Sequence, residues 1–330
     1  MIICYEELKD ILAQKLCRYG VSPQKAAAAA QIFADNARDG VYSHGANRFP
    51  RVIETIQKGY VQPQNEPVCV NSMGALEQWD GQLGLGMLNA QQAMHRATQL
   101  AKQYGVGAVA VKNTNHWMRG GTYGWQAAEA GCIGICFTNT VGNMPVWGSL
   151  EKRLGNNPLV IAVPRAGGQH VVVDMAMTQY AYGKLEVYRM AGKPLEVPGG
   201  YDEDGQITQD AAAVEKTQAG LPIGYWKGSG LSMMLDLVAA VLSGGKATKD
   251  QPADPAAEHG VSQVFITLQP PHEGTEEMVE QVIAYVQAAV PQNAQHPVRY
   301  PGAGAYATRQ RNLAQGIPVD DAVWAAIQAL

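Results

Sequence analysis

Charge is scarce in this chain. Asp, Glu, Lys and Arg make up 16% of 330 residues, the formal net charge is −4, and no basic block stands out. Nucleic acid and anionic membrane are therefore poor fits as partners. Cysteine is scarce too, with five residues scattered at 4, 17, 69, 132 and 136. An odd, dispersed set suits reduced thiols in a cytoplasmic protein and not a disulfide framework. Neither C-x-x-C nor H-E-x-x-H occurs, which argues against a metal site. No apolar run reaches the roughly eighteen residues that span a membrane. The start, Met1 to Glu7, lacks a basic region followed by a long apolar run, so no signal peptide is expected.

Several nucleotide and hydrolase signatures are also missing. No G-x-x-x-x-G-K-[ST] and no G-x-S-x-G is present, so a phosphate-binding P-loop and a nucleophile elbow are both excluded. Gly105-Val106-Gly107-Ala108-Val109-Ala110 matches G-x-G-x-x-[GA]. It follows a predicted helix and precedes a predicted strand, the reverse of the order a dinucleotide fingerprint needs. Any nucleotide must be bound without a sequence-visible Rossmann turn.

Hydrophobic residues amount to 46%, enough for a sizeable core, and the length suggests two domains. Residues 5 to 38 read as helix, with Ser22 as an N-cap and Pro23 at the first helical position of a second run. Pro50 is expected to limit or kink the helix around residues 43–50, with Ser43 as its N-cap. Short apolar runs at 107–111, 133–138, 159–163, 171–174 and 262–268 read as buried strands. Residues 88–104, 123–130, 231–242, 276–290 and those after Asp320 read as helix. Residues 192–220 and 244–258 read as loop. The simplest architecture is α/β: residues 71–270 form an α/β domain inserted in a mostly helical domain built from both termini, 1–70 and 271–330.

Tyr42-Ser43-His44-Gly45-Ala46-Asn47-Arg48 is the most informative stretch. If helical, it sets His44 and Arg48 on one face. An imidazole can exchange a proton near neutral pH, and a guanidinium matches a carboxylate. That pairing suits reduction of a 2-keto acid, although a surface helix carries such residues without chemistry as well. Asn115-His116 follows a predicted strand, where ligands of α/β sheets gather. Asp174 follows three valines and needs a partner: an imidazolium, a backbone N–H or a ribose hydroxyl. Trp226-Lys227 ahead of Gly228-Ser229-Gly230 offers an aromatic face and a cation to a planar anion, or simply begins a helix.

Together Ser43-His44-Gly45 with Arg48, Asn115-His116, Gly155-Asn156-Asn157-Pro158, Val173-Asp174-Met175-Ala176, Gly228-Ser229-Gly230 and Pro301-Gly302 resemble the malate/L-lactate dehydrogenase family of the non-Rossmann type, in order and over essentially the whole chain. The resemblance implies a cytoplasmic homodimer. It implies hydride transfer from NADH, or NADPH, to a keto group beside a carboxylate, most closely that of a 2-keto sugar acid. His44 is then the proton donor and Arg48 the carboxylate clamp, with Ser43 and His116 lining the pocket. The cofactor contacts His170, Val171, Val172, Val173, Asp174, Met175 and Ala176, the pair Trp226 and Lys227, and the loop Gly302, Ala303 and Gly304. Orientation of His44 by Asp174 is a competing role. One departure stands out: the family usually carries a polar, often acidic, residue soon after Pro-Gly, where this chain reads Pro301-Gly302-Ala303-Gly304-Ala305-Tyr306. Two other readings stay open. One is a dehydrogenase of malate, ureidoglycolate or a cyclic imino acid. The other is a nucleotide-binding protein without turnover.

Overall fold

The computed structural model describes residues 1–270 and 274–330. The expected start of the C-terminal segment at residue 271 lies outside them. A short strand β1 (Ile2–Ile3) precedes α1 (Tyr5–Arg18) and α2 (Pro23–Arg38). Pro23 does open α2, but the Ser22 hydroxyl makes no capping bond. Small residues let α2 approach α1 closely: Ala26, Ala29, Ala30 and Ala34 are fully buried beside Phe33. Next come α3 (Phe49–Gln57), β2 (Val68–Met73), β3 (Leu76–Asp80), α4 (Gly86–Tyr104) and β4 (Val106–Thr114). Gly105 ends α4 in the left-handed conformation, φ 83°, so the apparent fingerprint is a helix stop running into a strand.

The middle of the chain holds α5 (Gly121–Glu129), β5 (Ile133–Thr138), β6 (Met144–Pro145), β7 (Lys152–Leu154), β8 (Leu159–Val163) and β9 (Val171–Met175). It continues through α6 (Tyr182–Met190), β10 (Gly200–Tyr201), β11 (Ile207–Thr208), α7 (Ala211–Thr217), α8 (Trp226–Ser243) and β12 (Val261–Leu268). The last elements are α9 (Thr275–Gln287), α10 (Ala303–Gln315), β13 (Ile317–Pro318) and α11 (Asp321–Ala329).

A seven-stranded sheet runs in the order β2-β3-β4-β12-β5-β8-β9. Only β3 and β4 pair in parallel; the other neighbours are antiparallel. The central strand β12 alternates its faces as the strand period requires. Phe265 packs with Val109, Val111 and Tyr123, while Val264 packs with Ala110, Phe137 and Leu235. A separate apolar cluster joins Leu8, Leu12, Phe33, Phe49 and Ile53 to Ile317 and Ile327. There β1 pairs with β13, Ile3 opposite Ile317, and the Met1 ammonium meets Asp321 at 2.7 Å. Of the C-terminal elements, α10, β13 and α11 meet this helical layer. By contrast, Glu280 of α9 pairs with Arg165, ahead of β9.

Several elements differ from the sequence reading. Residues 192–220 hold β10, β11 and α7 as well as loop. The strand β3 was hidden by its polar composition; buried Glu77 is accommodated by Arg96, 2.7 Å away, and by the Trp79 indole N–H at 2.9 Å. Helix α8 starts at Trp226, five residues before the expected Leu231. Gly228 is a spatial requirement: a Cβ there would lie 2.2 Å from the Ile223 carbonyl oxygen.

Candidate active site

His44 and Arg48 do not share a helix. Residues Tyr42–His44 and Ala46–Arg48 form two separate 3-10 turns, and Gly45 between them breaks the path with φ −102° and ψ −129°. The segment folds back onto the end of α2. Asn36 Nδ2 donates to the His44 carbonyl at 2.9 Å, and a Cβ on Gly45 would lie 2.7 Å from the Ala37 nitrogen. Ser43 is not an N-cap; its Oγ lies 3.0 Å from His44 Nδ1. Pro50 neither limits nor kinks a helix. It sits in the first turn of α3, where its missing N–H costs nothing.

The fold brings His44 against His116 by another route. Their rings stack with centroids 5.6 Å apart and planes 17° from parallel. His116 stands just past β4, and its Nδ1 accepts the Met118 N–H at 3.0 Å. In the neutral ring the proton therefore sits on Nε2. The preceding Asn115 is pinned by donating to the carbonyls of Leu83 and Gly84, each at 2.9 Å. Burial, then the charge of Arg48, then that of Arg119 lower the His44 pKa from 6.5 to about 4. Burial, with Arg48 and His44 behind it, holds His116 well below its usual range. Both shifts favour the neutral rings in the substrate-free site.

A cavity opens beside this pair. Its wall includes Arg48, Arg51, Thr55, Asn115, His116 and Glu258, but neither Ser43 nor His44. The Arg48 guanidinium makes no hydrogen bond or ion pair among the described residues, and burial, with Arg51 behind it, depresses its pKa to about 10. Arg51 donates to the Pro255 carbonyl at 2.7 Å. Glu258 accepts the Val141 N–H at 2.9 Å. Burial raises its pKa despite that bond and the nearby arginines. Sequence reasoning missed Arg51 and Glu258. Arg51 lies three residues from Arg48 and was findable; Glu258 sits in a polar loop with no local signal.

Behind the imidazoles lies a second arrangement that the sequence reading missed. The buried Asp39 carboxylate accepts from Arg119 Nη1 at 2.8 Å, from Arg38 Nε at 2.9 Å, and from Arg309 Nε and Nη2 at 2.8 Å each. Burial alone would raise its pKa, but the Arg309 hydrogen bonds and the other guanidinium charges outweigh that, and the carboxyl is held low. The opposite edge of Arg119 looks toward Asp174, with Nε 3.8 Å from Oδ2. Asp174 Oδ2 accepts the Gly121 N–H at 2.8 Å. Asp174 thus engages Gly121 and Arg119, while the recorded partner of His44 Nδ1 is Ser43; the competing idea that Asp174 orients His44 finds no contact. Atoms crowd Asp174 enough to raise its pKa, yet 28% of the side chain stays exposed. Arg119 and the Gly121 N–H oppose that rise.

Residues His170 to Ala176 run along β9, the edge strand of the sheet. The Val172 N–H donates to the Pro301 carbonyl at 3.0 Å. Gly302 approaches so closely that a Cβ would lie 3.0 Å from the His170 carbonyl oxygen, at φ 96°. The altered loop is itself a helix start, since Ala303 and Gly304 open α10. Beyond β9, Met177 accepts from Ile223 N–H at 2.8 Å and Gln179 N–H donates to Leu221 at 2.7 Å. Trp226 and Lys227 then open α8, with the Trp226 ring exposed. The sheet edge thus gathers 170–176 and 302–304, and sets Trp226-Lys227 one turn from the segment paired beyond it. A dinucleotide fits these groups: a partly exposed carboxylate for ribose hydroxyls, a loop that tolerates no side chain at Gly302, and the buried His170 Nε2, which lacks a partner among the described residues.

Stacked imidazoles beside a guanidinium without an ion pair among the described residues suit a carbonyl next to a carboxylate. The chain belongs to the malate/L-lactate dehydrogenase family, whose model matches residues 3–328. It is similar to the 2,3-diketo-L-gulonate reductase of Citrobacter koseri, 44% identical over 334 residues with 100% of both chains covered. Among solved structures, sulfolactate dehydrogenase from Methanocaldococcus jannaschii superposes with TM-score 0.91 at 29% identity, covering 100% of this chain and 96% of that one. Delta1-piperideine-2-carboxylate reductase from Pseudomonas syringae superposes with TM-score 0.87 at 28% identity, covering 100% and 99%.

Proposed function

We propose that the protein is an NADH-dependent reductase of a 2-keto sugar acid, converting 2,3-diketo-L-gulonate to 3-dehydro-L-gulonate. Full-length similarity to reductases bearing that substrate's name supports the choice. The observation that carries the chemistry is Arg48, a partly buried guanidinium with no hydrogen-bond or ion-pair partner among the described residues, beside two stacked imidazoles. A buried, unpaired cation is costly, and an anionic substrate removes that cost. Arg48 grips the carboxylate with two parallel hydrogen bonds. Bound NADH, or NADPH as the alternative, supplies the hydride from a site along residues 170–176, 226–227 and 302–304. His44 gives a proton to the oxygen that becomes negative, and Ser43 holds its Nδ1. Burial is the main cause of the depressed imidazole pKa and Arg48 the next; the substrate carboxylate cancels the Arg48 part, so proton affinity rises with substrate.

A second reading gives the proton to His116. It is favoured by the place of His116 in the cavity wall and by the Met118 N–H on its Nδ1. His44→Ala and His116→Ala, compared in single-turnover NADH oxidation, separate the two. Loss of a general acid costs roughly 10²–10⁴-fold. We expect that loss in His44→Ala with NADH binding intact, and chiefly a raised KM in His116→Ala. The opposite pattern moves the role to His116, and full activity in both would sink the acid–base reading.

We read the assembly as a cytoplasmic homodimer, with the α/β unit inserted between helical segments that β1 and β13 tie together. No helix among the described residues is long and apolar enough to cross a membrane. Met234, Leu237 and Val241 on α8 are exposed at helical spacing, an apolar stripe that a second copy would cover.

A further inference from the structure

The cavity wall holds more than a carboxylate clamp needs. Arg48 and Arg51 are donors, but Glu258 presents an acceptor. Asn115, 4% exposed, is pinned by its amide bonds to the Leu83 and Gly84 carbonyls, with the Tyr60 carbonyl at 3.4 Å. Opposite, the short turn Pro255–Ala257 presents Glu258. The turn is anchored by Arg51 on the Pro255 carbonyl and by His259 stacked on Tyr60, centroids 5.0 Å apart and planes 5° from parallel. One Glu258 oxygen takes the Val141 N–H. Neither Arg48 nor Arg51 closes to within ion-pair distance of Glu258.

We propose that Glu258 is a specificity-determining acceptor for a hydroxyl group of the substrate, and so makes this a pocket for polyhydroxylated keto acids. The inference rests on the keto-sugar-acid reading and deepens it. A hydroxylated tail brings the donor that the second Glu258 oxygen lacks. Pyruvate brings only a methyl group and leaves it empty. Oxaloacetate brings a second carboxylate and sets it against Glu258. A site built to hydrogen-bond a hydroxyl discriminates strongly against analogues without one.

The test is steady-state NADH oxidation by wild type, Glu258→Gln and Glu258→Asp with 2,3-diketo-L-gulonate, pyruvate and oxaloacetate. Cofactor binding is followed by NADH fluorescence. Glu258→Gln keeps an acceptor for the Val141 N–H and removes the charge. We expect its KM for the diketo sugar acid to rise by roughly 10- to 100-fold with kcat within a few-fold. KM for pyruvate should stay put, and oxaloacetate should improve. Glu258→Asp, with the charge withdrawn by one methylene, should fall between, and it decides the matter if the glutamine variant fails to bind NADH. Equal losses on all three substrates, or an unchanged preference, overturn the inference while leaving the reductase reading intact. Wild type that ignores the diketo sugar acid overturns both.

Discussion

His44 meets its neighbours in a way that sets a pH signature. Its pKa of about 4 in the substrate-free site is caused by burial and by Arg48 and Arg119. Reduction needs the protonated ring, so kcat/KM for the keto acid should fall as pH rises above that value. Substrate binding neutralises Arg48 and raises the ring's proton affinity, so the falling limb of kcat should lie at higher pH. Initial rates from pH 4 to 9 check this, and coincident limbs would contradict it. The same shift has a stability sign. Between 6.5 and about 4 the unfolded chain binds a proton that the folded chain refuses, so stability is complete above 6.5 and declines as pH falls through that window. His44→Asn should flatten the fall in Tm between pH 7 and 5. Arg48→Ala should raise KM for the keto acid by well over 10-fold with little change in NADH affinity. Arg48→Lys should restore only part, because a point charge lacks the planar fork.

At the scale of elements, the turn is more informative than the helix. The residue types in Ser43-His44-Gly45 and Arg48 were legible as chemistry, but the helix assumed for them was not there. Gly45 lies against Ala37 and forces two 3-10 turns. No periodicity argument sees a contact with a neighbouring helix. Strands rich in valine and isoleucine were legible for the same reason that β3 was not: a buried Glu77 paired with Arg96 leaves no apolar alternation. The partnership of Asp39 with Arg119 and Arg309 spans residues far apart in sequence. Glu258 likewise enters the site only through the way its loop folds. Glycine at 86 shows how tightly α4 holds the pocket floor, since a Cβ there would lie 2.1 Å from the Asn115 carbonyl oxygen. Gly86→Ala should cost about 1–3 kcal/mol in denaturant unfolding and displace Asn115 and His116. A variant as stable and active as wild type would show that this floor can give way freely.

Across the whole molecule, Asp39 ties three regions together: the end of α2, Arg119 before α5, and Arg309 on α10. Removing one partner of a buried ion cluster typically costs about 3–5 kcal/mol. Asp39→Ala should lose stability on that scale, and it should weaken NADH and keto-acid binding together because the Arg119 it holds faces Asp174 and acts on His44. Sedimentation tests the assembly: wild type should run as a dimer, and Val241→Glu, placed in the exposed stripe of α8, should shift it toward monomer. The most direct measurement is the rate of NADH oxidation by the purified protein with 2,3-diketo-L-gulonate, set against pyruvate, oxaloacetate and a cyclic imino acid, and repeated with NADPH. The account predicts rapid turnover of the diketo sugar acid with NADH and slow turnover of the others. Preference for another acid would contradict the substrate, and silence with all of them would contradict the reductase itself.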